Sequence, residues 1–169
     1  MNRRNALFAL SSAAALPLVA SKAQAQSVPE TAYYVQQTLQ NGGFALFISQ
    51  LALTKSTNRD VRGFATFEVV EQTAVGLALA NSNTLPPFTP TADQANTIAK
   101  LNASVGTTFD YNYLSAQYTG HYTLLFLQND LLSYVADPSN ELRHIALLAQ
   151  SNIEQHIALL GDLFTLNRL

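Results

Sequence analysis

The sequence predicts an all-α protein: four long helices packed as an antiparallel bundle, with a short extra helix in the crossover between the second and third. Three observations predict it. Apolar residues recur at spacings of three and four over four long segments, the mark of helices with one inward face. The runs STNRD, NTLPPFTPT, SVGTT and ADPSN, rich in turn formers, break the chain between those segments. No stretch alternates with a period of two for long enough to make a strand.

Residues 1–25 come first and read as a cleaved export signal, leaving 26–169 as a single helical-bundle domain. MNRRNALFAL supplies a basic start, Ala6 to Ala20 an apolar stretch, and Ala23-Gln24-Ala25 a small-x-small cleavage site. Pro17 and Lys22 interrupt the apolar stretch before it reaches the roughly 20 residues of a membrane span. Arg3-Arg4 followed by Leu7-Phe8 resembles a twin-arginine signal, and the general secretory route fits as well. Either route places the mature chain in a bacterial periplasm, with no transmembrane segment.

The first helix is expected from about Glu30 to Lys55 and the second from about Asn58 to Asn81. Thr91 and Gln94 stand at capping-box spacing ahead of the short helix ANTIAKL. The third long helix is expected from about Thr108 to Val135. The fourth runs from about Pro138 to Leu166, with Asp137 as its cap and Pro138 at its first position. Short links join the first long helix to the second and the third to the fourth, making each of those pairs an antiparallel hairpin. The roughly 27 residues from Asn81 to Thr107 fit a crossover down the bundle. One long crossover is the connectivity of ferritin-like bundles.

Composition excludes several kinds of function. The chain has 9 Lys and Arg against 11 Asp and Glu. Loss of Arg3, Arg4 and Lys22 with the signal leaves 6 against 11, a net charge of −5. Lys55, Arg59 and Arg62 form the one basic cluster, too small to track a phosphate backbone, so nucleic acid is not an expected partner. The sequence has no cysteine, which removes disulfides, a thiolate nucleophile, c-type haem attachment and a lipidated N-terminal cysteine. It also lacks a Gly-x-Ser-x-Gly elbow, a phosphate loop and a dinucleotide fingerprint, and an enzymatic role is not favoured.

Chemistry concentrates on the inner faces. On the third long helix Asp110, Gln117, His121 and Gln128 follow one another at spacings of 7, 4 and 7, in the middle of a stripe set by Tyr113, Leu114, Leu124 and Leu131. Glu68 and Gln72 lie on the inner face of the second helix, with Glu71 at its edge. His156 falls on the inner face of the fourth helix, whereas His144 falls on the polar side. Glu141 and His144 have Glu-x-x-His spacing but point outward, so that pair is not read as a metal site. Buried polar groups must find partners or cost kilocalories, so the inward set is expected to meet across the bundle. Imidazole with carboxylate suits iron, manganese, zinc or copper, and His121, His156 and Glu68 are the candidate ligands. Asp110, Gln117, Gln72, Glu71 and Gln128 then support them or form a buried polar layer. The favoured reading is a layer that fixes helix register, without a cofactor. A two-metal carboxylate bundle wants four acids and two Glu-x-x-His pairs, and the first helix offers no inward acid.

The first helix shows two apolar faces. Val35, Leu39, Leu46 and Leu53 make one; Phe44, Phe47, Ile48 and Leu51 make another after Asn41-Gly42-Gly43. The expectation is a kink at the glycines, or a second face that pairs with another copy of the chain as a homo-oligomer.

LALTKSTNRDVRGFA, FDYNYLSAQYTGH and NIEQHIALL carry a resemblance to the exported bacterial domain of unknown function 4142 family. The likeness runs from about Tyr34 to Leu163. Phe109, Asp110, Tyr113, His121 and His156 match the family's Phe-Asp...Tyr and helix-borne His patterns. The resemblance implies a ferritin-like four-helix fold. The family's Asp-His pair in the second helix reads Glu71-Gln72 here, and acids of its first helix fall near Ala45 and Phe47, which implies a degenerate site. The expected function is therefore a periplasmic, non-enzymatic envelope stress or interaction protein. The rival is a metal-binding or redox bundle built on His121, His156 and Glu68. A third reading is a bundle that responds to acid as His121 and His156 charge.

Overall fold

Five helices form in chain order: α1 (Glu30–Lys55), α2 (Arg59–Ala80), α3 (Ala92–Ala103), α4 (Gly106–Tyr134) and α5 (Glu141–Leu166). The computed structural model describes residues 30–166, so the expected export signal lies outside the described residues. Among the described residues there is no strand, and no helix is long and apolar enough to cross a membrane.

Local sequence accounts for most boundaries. Asn58 caps α2 by accepting from the Asp60 and Val61 amides, and Asn81 ends it in the left-handed region at φ 46. The Thr91–Gln94 capping box starts α3 as expected. Gly106, at φ +56, makes the turn into α4, which begins two residues before the expected Thr108. The start of α5 needs correction. Asp137 accepts from the Ser139 amide and hydroxyl in a turn of its own, and the side chain of Asn140 accepts from the Arg143 amide. The cap is Asn140, and the helix begins at Glu141 rather than Pro138.

Residue pairings fix the directions of the four long helices. Tyr34 meets Gln128 while Ser49 meets Tyr113, so α1 and α4 are antiparallel. Gly42 lies against Gln72 and Arg62 reaches Leu53, so α1 and α2 are antiparallel too. Gln150 pairs with Asn129 and His156 with His121, which runs α5 against α4. Thus α2 and α4 are parallel, and residues 81–91 with α3 carry the chain back along the bundle between them. Lys55 Nζ donates to the Leu101 and Asn102 carbonyls and ties the end of α3 to the end of α1.

The core comes in two apolar clusters. Ile48, Ala52, Val61, Phe64, Phe109, Tyr113, Leu160 and Leu163 build one. Tyr34, Leu79, Leu124, Leu127, Leu131, Ala149 and Ile153 build the other. Glu68 and Gln72 on α2, Gln117 and His121 on α4, and His156 on α5 fall between them in sequence on every helix that contributes.

The two apolar faces expected on α1 do not make its inward line. Its innermost line is Tyr34, Thr38, Gly42, Ala45, Ile48, Ser49 and Ala52, a seam of mostly small residues between the two proposed apolar faces. Ile48 belongs to the core, and the rings of Phe44 and Phe47 sit 6.5 and 5.9 Å from Phe88 of the crossover. Phe44 and Leu51 are partly buried, so the second face is occupied by the protein's own chain, with Phe47 left 41% exposed. The glycines serve close packing: a Cβ on Gly42 would lie 2.6 Å from Gln72 Oε1, and one on Gly43 3.0 Å from Phe88. The helix runs through both as a single element.

Candidate metal centre

Three long helices each bring one side chain to the same point. Glu68 of α2 and His121 of α4 are wholly buried, and the His156 side chain of α5 is 13% exposed. Glu68 Oε1 stands 3.0 Å from His121 Nε2 and 2.7 Å from His156 Nδ1, and the two ring nitrogens are 3.3 Å apart. The Phe64 ring packs against both imidazoles, tilted to His121 and edge-on to His156, with ring centroids at 5.9 and 5.4 Å.

The neighbours decide which ring nitrogens hold protons. His121 Nδ1 lies 2.7 Å from the Gln117 carbonyl oxygen, which only accepts, so Nδ1 carries the proton and donates. In the neutral ring Nε2 is then a bare lone pair aimed at a carboxylate oxygen. His156 has a matching choice. Its Nε2 is 3.5 Å from Glu71 Oε2, at the outer limit of a hydrogen bond, and a proton there would leave Nδ1 as a second lone pair toward Glu68. A proton or a metal ion among these atoms relieves the crowding of lone pairs: a proton on a ring nitrogen donates to Glu68 Oε1, and a metal ion would take all three donors.

The electrostatics follow. Burial pushes the Glu68 carboxyl up, but hydrogen bonds and charge from His121 and then His156 outweigh it and hold it at about 2. Burial pulls the His156 pKa down, while the Glu68 hydrogen bond and the charges of Glu68 and Glu71 overcome it and leave it raised. Glu71 is raised, by its own burial first and against the pull of His156.

The other expected residues divide. Gln72 Nε2 donates to Glu68 Oε2 at 3.5 Å, as the shared inner face implies. Gln117 does not meet Glu68 through its side chain: its amide turns to α1 and donates to Ala45 O at 3.1 Å and Ser49 Oγ at 2.7 Å. Its part in the cluster is the backbone carbonyl that orients His121. Gln128 lies in a different layer, accepting from the Tyr34 hydroxyl at 2.6 Å. Asp110 is buried at the far end of α4 with one oxygen unpartnered, and it is not among the groups bonded to the cluster. His144 is exposed and reaches the Pro138 carbonyl, and Glu141 is exposed as well, so the outward reading of that pair holds. Sequence reasoning missed Ser49 and Tyr34 as partners of the inner polar groups. Their signal was the line Tyr34, Thr38, Ala45, Ser49 at helical spacing, which was passed over because it is neither strongly apolar nor charged.

In fold the chain is similar to the crystal structure of a DUF305 fragment from Deinococcus radiodurans. The TM-score is 0.68 at 19% identity, over 84% of this chain and 98% of that one. That likeness concerns the fold alone. No curated protein matches the chain. The family model described as Domain of unknown function (DUF4142) matches residues 16–163, which take in all of the described helices but the last residues of α5, and the chain belongs to that family.

Proposed function

We propose that this protein is an exported, periplasmic helical-bundle protein that binds one divalent transition-metal ion on Glu68, His121 and His156. The observation that carries the reading is the convergence of a carboxylate oxygen and two imidazole nitrogens within 4.8 Å, each imidazole having an acceptor behind its other nitrogen. Histidine ligands ordinarily donate their remote N–H to a carbonyl or carboxylate, which fixes the tautomer that ligates. Gln117 O and Glu71 stand in those two places.

Donor chemistry narrows the ion. Two imidazoles and a carboxylate suit zinc, iron(II), manganese or copper(II). The described residues include neither cysteine nor methionine, so they offer no soft sulfur ligand. An ion about 2.1 Å from each donor would hold them roughly 3.0–3.4 Å apart, so the donors at 2.7–3.3 Å would spread by a few tenths of an ångström. Three protein ligands leave positions open for water or a small molecule. Export rests on the N-terminal signal, and its basic twin arginines suit a protein that leaves the cytoplasm already folded around its ion.

A second reading has a specific observation in its favour. The two imidazoles alone hold Glu68 well below the usual carboxylate range, so a proton can serve as the cation and the cluster can act as a buried layer that sets helix register. In that form the protein is a non-enzymatic structural or interaction component of the envelope. Metal analysis of protein exported by its native route separates the two. The metal reading expects close to one zinc, iron, manganese or copper per chain, lost in H121A, and a rise in melting temperature when the ion is restored to stripped protein. A chain that carries no such metal, and whose melting temperature none of the four ions moves, leaves only the register layer.

A further inference from the structure

We propose that the space between α1, α2 and the crossover is a binding site for a small, uncharged, mostly apolar ring compound bearing one hydroxyl. A cavity of about 290 Å3 lies there, walled by Leu39, Leu46, Val75, Leu79, Leu85 and Phe88. That volume sits at the small end of ligand sites and admits one or two fused rings. None of the lining side chains is charged, so an ionised ligand would lose its hydration there without a counter-charge. A neutral molecule is what the walls accept.

Three glycines set the walls where they are. A Cβ on Gly42 would fall 2.6 Å from Gln72 Oε1, one on Gly43 3.0 Å from Phe88, and one on Gly76 2.7 Å from Leu85. Glycine inside a helix costs stability relative to alanine. Here each seats a lining side chain that a methyl group would displace.

Gln36, Gln40 and Gln50 also line the cavity, the first and last of them exposed and Gln40 bonded to Thr89 and Gln94. The two buried polar side chains, Gln72 and Thr38, therefore orient the ligand. Gln72 Nε2 faces Glu68 Oε2, and because a carboxylate only accepts, the amide nitrogen must be the end turned to it. Gln72 Oε1 therefore points the other way, over Gly42, where both residues line the cavity. Thr38 also lines it; its Oγ1 lies beside the Tyr34 hydroxyl, which donates to Gln128 and can accept from Thr38, leaving the Thr38 oxygen free to accept from a ligand. A few polar atoms in an apolar cavity are the usual means of fixing a ligand's orientation, and an acceptor at Gln72 calls for a donor on the ligand. Gln72 borders the metal centre, but the cavity needs no ion to take its occupant, so the two ideas fail separately.

The probe is 2-naphthol, neutral at pH 7 and fluorescent, titrated into chelator-treated mature protein. Saturable binding at one site per chain is expected. Naphthalene, without the hydroxyl, should bind at least roughly threefold more weakly, and the anion 2-naphthoate at least roughly tenfold more weakly. Val75→Phe fills the cavity from α2 and Leu46→Phe fills it from α1; each variant that retains wild-type helicity should lose at least roughly tenfold in affinity. The proposal is overturned if 2-naphthol does not saturate, if 2-naphthoate binds as tightly, or if a folded filling variant keeps the wild-type affinity.

Discussion

Replacing Glu68 by Gln is the sharpest test of the buried cluster, because it keeps shape and volume and removes only the charge. In the folded chain the Glu68 carboxyl is held at about 2 against its ordinary 4.5. At about 1.4 kcal/mol for each tenfold change in the proton equilibrium, that difference is worth about 3 kcal/mol at neutral pH. E68Q should therefore lose about 2–3 kcal/mol of unfolding free energy in metal-free protein. For a domain of this size that lowers the melting temperature by roughly 6–12 °C. Because the folded value lies below the unfolded one, the contribution is complete above 4.5 and drains away as pH falls toward 2. Wild type should weaken across that window and E68Q should follow a flatter curve. Urea unfolding followed by circular dichroism, from neutral pH down to about pH 2, measures both. An E68Q protein within about 0.5 kcal/mol of wild type, with the same acid profile, would show that the histidines do not hold this carboxylate as described.

Three further outcomes follow. The raised His156 pKa gives metal-free protein stability that is full below 6.5 and lost as pH rises through the folded value, so urea midpoints should fall as pH rises above 6.5 and the H156Q variant should flatten that decline. A zinc-loaded sample should show the opposite trend, since the ion competes with protons for the same nitrogens. Glu71→Leu removes no ligand but leaves His156 Nε2 without its carboxylate, and should weaken ion affinity roughly 10–100-fold in competition with a chromophoric chelator. Gly42→Ala puts a Cβ 2.6 Å from Gln72 Oε1, and displacing that buried side-chain end should cancel the roughly 0.5–1 kcal/mol helix gain and leave stability near wild type. Gly63→Ala, on the helix α2 with nothing within 4 Å of the new methyl, should instead add about 0.5–1 kcal/mol; equal effects of the two in thermal melts would contradict the packing.

The fold was legible because the inward stripes of α2, α4 and α5 are dense and regular. Val61, Phe64 and Ala65, then Tyr113 and Leu114, then Ile153, Leu160 and Leu163 are all buried where periodicity put them. The convergence of Glu68, His121 and His156 was legible for the same reason, since polar residues in the middle of an apolar stripe have nowhere else to go. Two kinds of feature were not. Asp137 and Asn140 are both good caps, three residues apart, and only the turn around Ser139 decides between them. On α1 the large residues Phe44, Phe47 and Leu51 flank the contact line and the small ones occupy it, because Gly42, Ala45 and Ala52 let α2 and α4 approach closely. A pattern weighted by hydrophobicity follows the large side chains and misses the seam.

That seam also explains how a helix with no inward acid governs the centre. The α1 groups Ala45 O and Ser49 Oγ hold the Gln117 amide, and Tyr113, whose phenol burial keeps well above its ordinary pKa and so a neutral hydroxyl, joins the same network at Ser49. These bonds pin one turn of α4 against α1, and the carbonyl of Gln117 on that turn selects the His121 tautomer. His121 is thereby committed to one state: buried, Nδ1 donating, Nε2 inward. His156 has no such commitment, being partly exposed and set against the charged Glu71 rather than a carbonyl. The centre thus joins one fixed imidazole to one adjustable imidazole across a buried carboxylate. In such a pair the ring with freedom to reorient is the one on α5, at the solvent-reaching side of the cluster.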